Sequence, residues 1–364
     1  MADEESFECK ICYERRIVSH TPACGHPICS KCLWDIVCEP TNKNRCGFCR
    51  GTLSELLEDY ATKAHTFPES ISIEELDFDF AMLCKSGDLK KIQEAVHKGA
   101  DVKAADVNRM TPIFISAQEG HLDVVKFLEK NGVDVNVANQ NGVTPIFVSA
   151  EKGHLEVVKF LKQSGADINA AMQNGKTPIL IGAQEGHLDV VKFLQQSGAD
   201  VNAAILDGAT ALVLSAQEGH LDVVKFLQQS GADVHATTQD GATPLFVGAY
   251  NGHVDVVKFL HQNGADVNAA PRNGVTPILI SSQEGHLDVV KFLQQNGADL
   301  NVTAQNGVTP IFISAFNGHS EIVSFLKQHG AEVVAALELA LQNGLNNVIQ
   351  MLFRMSAIYL HRLQ

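Results

Sequence analysis

From residue 111 onward the apolar and polar positions of this chain recur with a period of 33 residues. A Thr opens each unit, at Thr111, Thr144, Thr177, Thr210, Thr243, Thr276 and Thr309, and an apolar run such as Ile146-Phe147-Val148 follows it. A Gly-His pair recurs in step: Gly120-His121, Gly153-His154, Gly186-His187, Gly219-His220, Gly252-His253, Gly285-His286 and Gly318-His319. Next comes a segment like Leu122-Asp123-Val124-Val125-Lys126-Phe127-Leu128, in which Leu122, Val125 and Leu128 fall at helical spacing. Thr is a good helix N-cap and Pro suits the first helical position, so Thr-Pro opens a first helix. Thr210-Ala211 lacks the Pro and is expected to fray slightly. The Gly before each His ends the first helix, and Gly-Ala-Asp ends the second. Asn-Gly pairs such as Asn141-Gly142 mark hairpin tips. An undeviating period of this length predicts a solenoid of helix pairs.

Both ends of the array read as caps. Phe80 to Gly87 keep the glycine in register, but the next helix carries Lys91 and Glu94 where later units have Val124 and Phe127. Charge there suits an end that faces water. After Gly330 the hairpin is shortened, and Leu345 to Leu352 reads as the closing helix pair. Terminal units need altered faces because each has one neighbour only.

The unit Thr144-Pro145-Ile146-Phe147-Val148-Ser149-Ala150-Glu151-Lys152-Gly153-His154 resembles the ankyrin repeat. The His usual after the family's Thr-Pro-Leu is replaced here by Phe or Leu, and by Val213 in the fourth unit, which implies more apolar packing within each unit. The resemblance implies hairpin tips and first-helix faces lining a concave protein-binding surface. Variation between copies marks surface that packing leaves free. The two positions before Gly-His read Gln118-Glu119, Glu151-Lys152, Gln184-Glu185, Gln217-Glu218, Tyr250-Asn251, Gln283-Glu284 and Phe316-Asn317. Tyr250 and Phe316 are the expected anchors, since aromatic residues dominate binding hot spots. The ladder Glu119, Glu185, Glu218 and Glu284 points to a polar or basic protein substrate, with Arg272 among the variable tip residues Arg109, Met172, Lys176, Leu206 and Pro271. A merely solvated acidic face with incidental aromatics is the alternative. The seven histidines of the Gly-His pairs are read as repeat framework, not as metal ligands.

The first 49 residues differ. They hold eight of the nine cysteines, and seven of these fall with His26 in the order Cys9-x-x-Cys12, eleven residues, Cys24-x-His26-x-x-Cys29-x-x-Cys32, thirteen residues, Cys46-x-x-Cys49. A two-residue gap lets both side chains of a turn reach one tetrahedral metal, and thiolates suit zinc. Eight ligands make two closed four-ligand sites, which are structural. A disulfide framework is the alternative. The repeated C-x-x-C spacing, the His in a ligand slot and an acidic N-terminus without a signal-like apolar stretch count against it.

This order resembles the RING finger with three Cys, one His and four Cys. The resemblance implies cross-brace ligation of two structural zinc ions, one by Cys9, Cys12, Cys29 and Cys32, the other by Cys24, His26, Cys46 and Cys49. Spacing alone leaves sequential pairing open. RING proteins mostly act as ubiquitin ligases, which hold a ubiquitin-charged conjugating enzyme in a reactive pose without a covalent intermediate of their own. Their catalysis is positioning. By that resemblance Ile11, Trp34, Ile36, Gly47 and Phe48 belong to the conjugating-enzyme surface. Arg50, directly after the last Cys, would bridge ubiquitin and the conjugating enzyme with its planar fork. The chain departs from the family at Gly47, where Pro is usual, and at Trp34, which lies two residues before the expected apolar position, Ile36. Ile11 and Ile36 as simple core, and Arg50 as a solvated charge, are the bland alternatives.

The expected architecture is therefore a small zinc-stabilised α+β RING domain followed by an all-α ankyrin-repeat solenoid with hairpin loops. Its parts are a RING finger at 1–50, an acidic linker with a short helix at 51–76, an N-terminal capping repeat at 77–108, seven full repeats at 109–334 and capping helices at 335–364. Composition narrows the function classes. Apolar residues form 45% and charged residues 19%, as in folded domains. A net charge of −14 disfavours a nucleic-acid partner. No stretch approaches the roughly 20 apolar residues of a membrane span. Cys38 and Cys84 lie outside the metal set and lack an obvious His partner, so a covalent cysteine mechanism is disfavoured. The expected setting is the cytosol or nucleus of a eukaryotic cell, or host cytosol for a pathogen protein. The leading function is a ubiquitin ligase with an ankyrin substrate surface. The second is a non-catalytic scaffold whose RING serves docking or dimerisation.

Overall fold

The computed structural model describes Ser6–Glu8, Arg15–Ile17 and residues 73–353 apart from Val107. The zinc-ligand set, Arg50, Ile11, Trp34, Ile36, Gly47, Phe48, Cys38, residues 51–72 of the expected linker, and the chain after Phe353 lie outside the described residues. The N-terminal part shows one antiparallel pairing, strand β1 (Ser6–Glu8) with β2 (Arg15–Ile17), Phe7 opposite Arg16.

The repeat part is built of helix pairs. It opens with α1 (Ile73–Ser86) and α2 (Leu89–His97), so helix begins inside the stretch expected as linker. Seven pairs follow: α3 (Pro112–Gln118) and α4 (Leu122–Lys130); α5 (Pro145–Glu151) and α6 (Leu155–Gln163); α7 (Pro178–Gln184) and α8 (Leu188–Gln196); α9 (Ala211–Glu218) and α10 (Leu221–Gln229); α11 (Pro244–Tyr250) and α12 (Val254–Gln262); α13 (Pro277–Glu284) and α14 (Leu287–Gln295); α15 (Pro310–Phe316) and α16 (Ser320–Gln328). Helix α17 (Val333–Gln342) and a last helical stretch, 346–353, follow without an intervening finger. First helices stack on first helices and second helices on second.

A short helix is marginal alone, so packing must hold these in place. In the first helices nearly every residue is buried; in α3, Pro112 through Ala117 are. In the second helices one stripe is buried: Val124, Val125 and Leu128 in α4, and the equivalent residues in each copy. Phe114, Phe147, Leu180, Val213, Leu279 and Phe312, at the position where the family has His, are all buried, which replaces hydrogen bonding by apolar contact. At the N-terminal cap, Lys91 and Glu94 are exposed.

The helix ends follow the expected chemistry with two differences. Thr144, Thr210, Thr243 and Thr309 cap their helices through the side chain, whereas the hydroxyls of Thr111, Thr177 and Thr276 make no hydrogen bond among the described residues. The fourth first helix starts at Ala211 although it lacks the Pro. Thr210 Oγ1 accepts from Val213 N at 3.4 Å, and Ala211, a strong helix former, replaces Pro without loss of the turn.

The fingers between repeats are tight turns. In the second, Asn139 Oδ1 accepts from the backbone of Asn141 and Val143, and Gly142 takes φ +80. In the first, Asp106 Oδ1 accepts from Asn108 N at 2.8 Å and Met110 N at 2.7 Å, and Arg109 stands where every later finger has Gly. Arg109 takes φ 59, as the only non-glycine residue at positive φ among those described. A left-handed non-glycine residue costs about 1–2 kcal/mol, partly offset by the larger unfolded-state entropy of Gly. Arg109→Gly is therefore expected to stabilise the chain by about 0.5–1 kcal/mol. Thermal unfolding of the two proteins checks this; an unchanged or lower midpoint would contradict it.

Candidate protein-binding surface

The surface that packing leaves free is set by the framework around it. Each Gly-His pair is a framework joint between neighbours. His154 Nε2 donates to Gln118 O at 2.9 Å, His187 to Glu151 O at 2.9 Å and His286 to Tyr250 O at 2.9 Å, each bond reaching back into the preceding repeat. The imidazole lies against the preceding repeat's glycine: a Cβ on Gly120 would sit 2.6 Å from His154 Nδ1. The histidines are thus committed to the stack. Among the described residues no group of three or more His, Cys, Asp or Glu could hold a metal ion.

In one repeat the base of the finger reaches the end of the first helix. In the third repeat Lys176 Nζ donates to Gln184 Oε1 at 2.6 Å. Sequence reasoning selected the helix-end positions, and the structure puts them on one exposed column. Glu119, Glu185, Glu218 and Glu284 are exposed, and Gln217 and Gln283 donate to Glu218 and Glu284 at 3.0 and 2.9 Å. The acidic column is broken. Lys152, paired with Glu151 at 3.7 Å, separates Glu119 from Glu185, and Asn251 separates Glu218 from Glu284. Tyr250 is 45% exposed and Phe316 54%. The Phe316 ring stacks on Phe312 one turn earlier, centroids 6.2 Å apart, so it is half committed to its own helix. Arg272 is exposed at the sixth finger, whereas Pro271 is buried and Met172 half-buried.

One apolar side chain on the fingers was passed over as an anchor. Leu206, at the tip of the fourth finger, is 70% exposed. Phe246 and Val247, half-buried on α11, lie one turn before Tyr250 and were not singled out either. The signal was available, because Leu206 breaks a column that reads Gln in Gln140, Gln173, Gln239 and Gln305.

Cys84, by contrast, has no role as a nucleophile. It is fully buried, and burial pushes its thiol from 9.0 up to about 12 despite a hydrogen bond with Ser116. A thiol so placed carries almost no thiolate at neutral pH. Because its pKa is raised by folding, its contribution to stability is intact below about pH 9 and is lost as pH rises toward 12.

The ankyrin-repeat model, described as three copies of the repeat, matches five overlapping stretches: residues 80–172, 114–205, 170–238, 212–304 and 278–361. The chain belongs to the ankyrin-repeat family. Together the matches span about three quarters of the 364 residues and begin at residue 80. Comparison with curated proteins finds no match. Ankyrin arrays bind protein partners, and the exposed column above is where this one differs from copy to copy. Among the described residues no helix is long and apolar enough to cross a membrane.

Proposed function

We propose that this ankyrin protein is a RING-type ubiquitin ligase whose repeat array selects the protein to be modified. The observation that carries the ligase half is the spacing of eight metal-binding residues, Cys9 to Cys49, in the RING order. The paired strands β1 and β2, flanking the Cys9–Cys12 pair in sequence, agree with a zinc-held turn between them. Two structural zinc ions would be held by Cys9, Cys12, Cys29 and Cys32, and by Cys24, His26, Cys46 and Cys49. They would supply folding energy to a segment too small for a core of its own.

In this reading Ile11, Trp34, Ile36, Gly47 and Phe48 form the surface for a ubiquitin-conjugating enzyme. Arg50 hydrogen-bonds that enzyme and its ubiquitin together, which restrains the thioester for attack by a lysine of the captured substrate. Restraining two reactants in one geometry is the whole catalytic contribution. The compartment is one where ubiquitin circulates, the eukaryotic cytosol or nucleus, native or host. The second reading, a scaffold whose RING only docks or dimerises, is favoured by Gly47 in place of the family's Pro.

Discharge of a ubiquitin-charged conjugating enzyme to free lysine distinguishes them. The ligase reading expects the full chain to accelerate discharge, and Arg50→Ala to reduce the acceleration about tenfold or more, with the zinc content unchanged. Discharge at the unassisted rate, from chain holding two zinc ions, would favour the scaffold.

A further inference from the structure

Fingers four and five and the end of α11 carry the features that bear on binding. The tip column is a framework column: Gln173 Nε2 donates to Gln140 O at 3.2 Å, Gln239 Nε2 to Leu206 O at 2.7 Å and Gln305 Nε2 to Arg272 O at 2.9 Å. Gln recurs at these tips, with Arg272 in the same column on finger six. Finger four has Leu206 instead, and this is the most exposed of the large apolar side chains described.

That finger is also firmly held. Ala204 and Thr210 pair across it in the one isolated β-bridge among the described residues. Gln239 ties it to finger five twice, through the side chain to Leu206 O and through the backbone to Asp207 O at 2.6 Å. A Cβ on Gly208 would meet finger five at 3.1 Å, against 3.4 Å for Gly142 on its neighbour and open space at Gly307. An exposed leucine on a doubly tied finger is pre-organised, which removes much of the ordering cost of binding.

The bases of these two fingers are small and uncharged. The finger-base residue, Lys176 in the third repeat, is Ala209 in the fourth and Ala242 in the fifth. On α11, Phe246 and Val247 are half-buried and Tyr250 is 45% exposed, whereas the equivalents of Val247 in the first four repeats are buried. The charge of fingers four and five and of the first helices that follow them has one sign, with Lys176 on one side and the exposed Arg272 of finger six on the other. Asp207, Glu218 and Asp240 are exposed, Glu185 adds to them from the third repeat, and residues 204–220 and 237–253 contain no Lys or Arg.

We infer that fingers four and five, with the end of α11, bind a basic polypeptide segment in which one apolar side chain lies between Lys or Arg residues. Leu206 and Tyr250 supply the apolar contacts, and the cations face Asp207, Glu218 and Asp240. This rests on the reading of the array as the partner-selecting half, and it assigns that partner a chemistry.

The test is fluorescence anisotropy of the full chain against short labelled peptides. Their central residue is Leu, Phe or Ala, and their flanks are Lys and Arg, Asp and Glu, or neutral. Binding is expected only for an apolar centre with basic flanks, and it should weaken as salt rises. Leu206→Gln restores the framework residue and should leave the melting temperature equal or higher while reducing affinity about tenfold or more. Tyr250→Ala should do as much to affinity. Asp207→Asn, which keeps the turn acceptor for Ala209 N at 2.9 Å, and Glu218→Gln should weaken binding and flatten its salt dependence, and Glu119→Gln should do neither. Acidic-flanked peptides binding equally well, no peptide binding at all, or binding indifferent to Leu206→Gln and Tyr250→Ala would each overturn the inference. Ubiquitin discharge by the same preparation separates the two claims. Discharge without peptide binding sinks only this inference, and peptide binding without discharge sinks only the ligase reading.

Discussion

Gly153→Ala is expected to destabilise the array by about 2–4 kcal/mol, whereas Gly318→Ala should cost only about 1 kcal/mol. Both glycines take positive φ, +75 and +86, so an added Cβ is strained by the backbone in both. They differ in what the Cβ meets. At Gly153 it would sit 2.6 Å from His187 Nδ1 and 2.7 Å from Cε1, on a ring held from its other side by the bond from Nε2 to Glu151 O at 2.9 Å. The ring cannot turn away without losing that bond, which is worth about 1 kcal/mol. At Gly318 no following repeat supplies a His, and nothing lies within 4 Å. The same logic makes the pair non-additive. Adding His187→Ala to Gly153→Ala removes the obstacle, so the double variant should be more stable than the sum of the single losses by about 1 kcal/mol or more. Denaturant unfolding of the four proteins measures this. Equal losses at Gly153 and Gly318 would show that backbone strain alone sets the need for glycine.

Leu194→Ala should cost about 2–5 kcal/mol and alter the shape of the unfolding curve as well. Leu194 is fully buried on α8, which packs on α7 of its own repeat and on α6 and α10 of the neighbouring ones. In a stack the coupling between neighbours transmits stability along the array. A cavity in the third of seven repeats weakens that coupling near the middle, so the two halves are expected to unfold over a broader denaturant range. The exposed Lys258, by contrast, pairs with Asp255 at 3.5 Å on the surface, and Lys258→Ala should change stability by no more than about 0.5 kcal/mol. A Leu194→Ala loss below about 1 kcal/mol, with an unbroadened transition, would contradict the packing described.

The helix pairs were legible because their cause is local and repeated: Thr-Pro starts, glycine stops and a 33-residue apolar rhythm. What the glycines and histidines do for one another was not, because His187 reaches Gly153 and Glu151 across a repeat boundary, and period alone does not say which groups touch. The Thr caps show the limit of a local rule. The same residue in the same motif caps at Thr144 and leaves its hydroxyl unbonded at Thr177, as small differences in geometry decide. The helix-end column with Tyr250 and the glutamates was legible as variation within an otherwise fixed pattern. Leu206 was visible in the same way, but its weight comes from exposure and from the ties on its finger, which only the fold supplies. The left-handed Arg109 was likewise in plain sight as a break in the Gly column. The candidate RING is legible in the spacing of its ligands, and its geometry falls outside the described residues.

The most direct measurement of the proposed activity is self-ubiquitination by the purified full chain across a panel of conjugating enzymes, alongside Arg50→Ala and Cys24→Ser. Cys24→Ser removes one of four ligands from a closed zinc site and should release that metal together with the local fold. The account predicts high-mass ubiquitin chains from the native protein, fewer from Arg50→Ala and none from Cys24→Ser, whose repeat array should still melt cooperatively. No ubiquitin chains with any conjugating enzyme, from protein that carries two zinc ions, would contradict it and leave a protein-binding ankyrin scaffold.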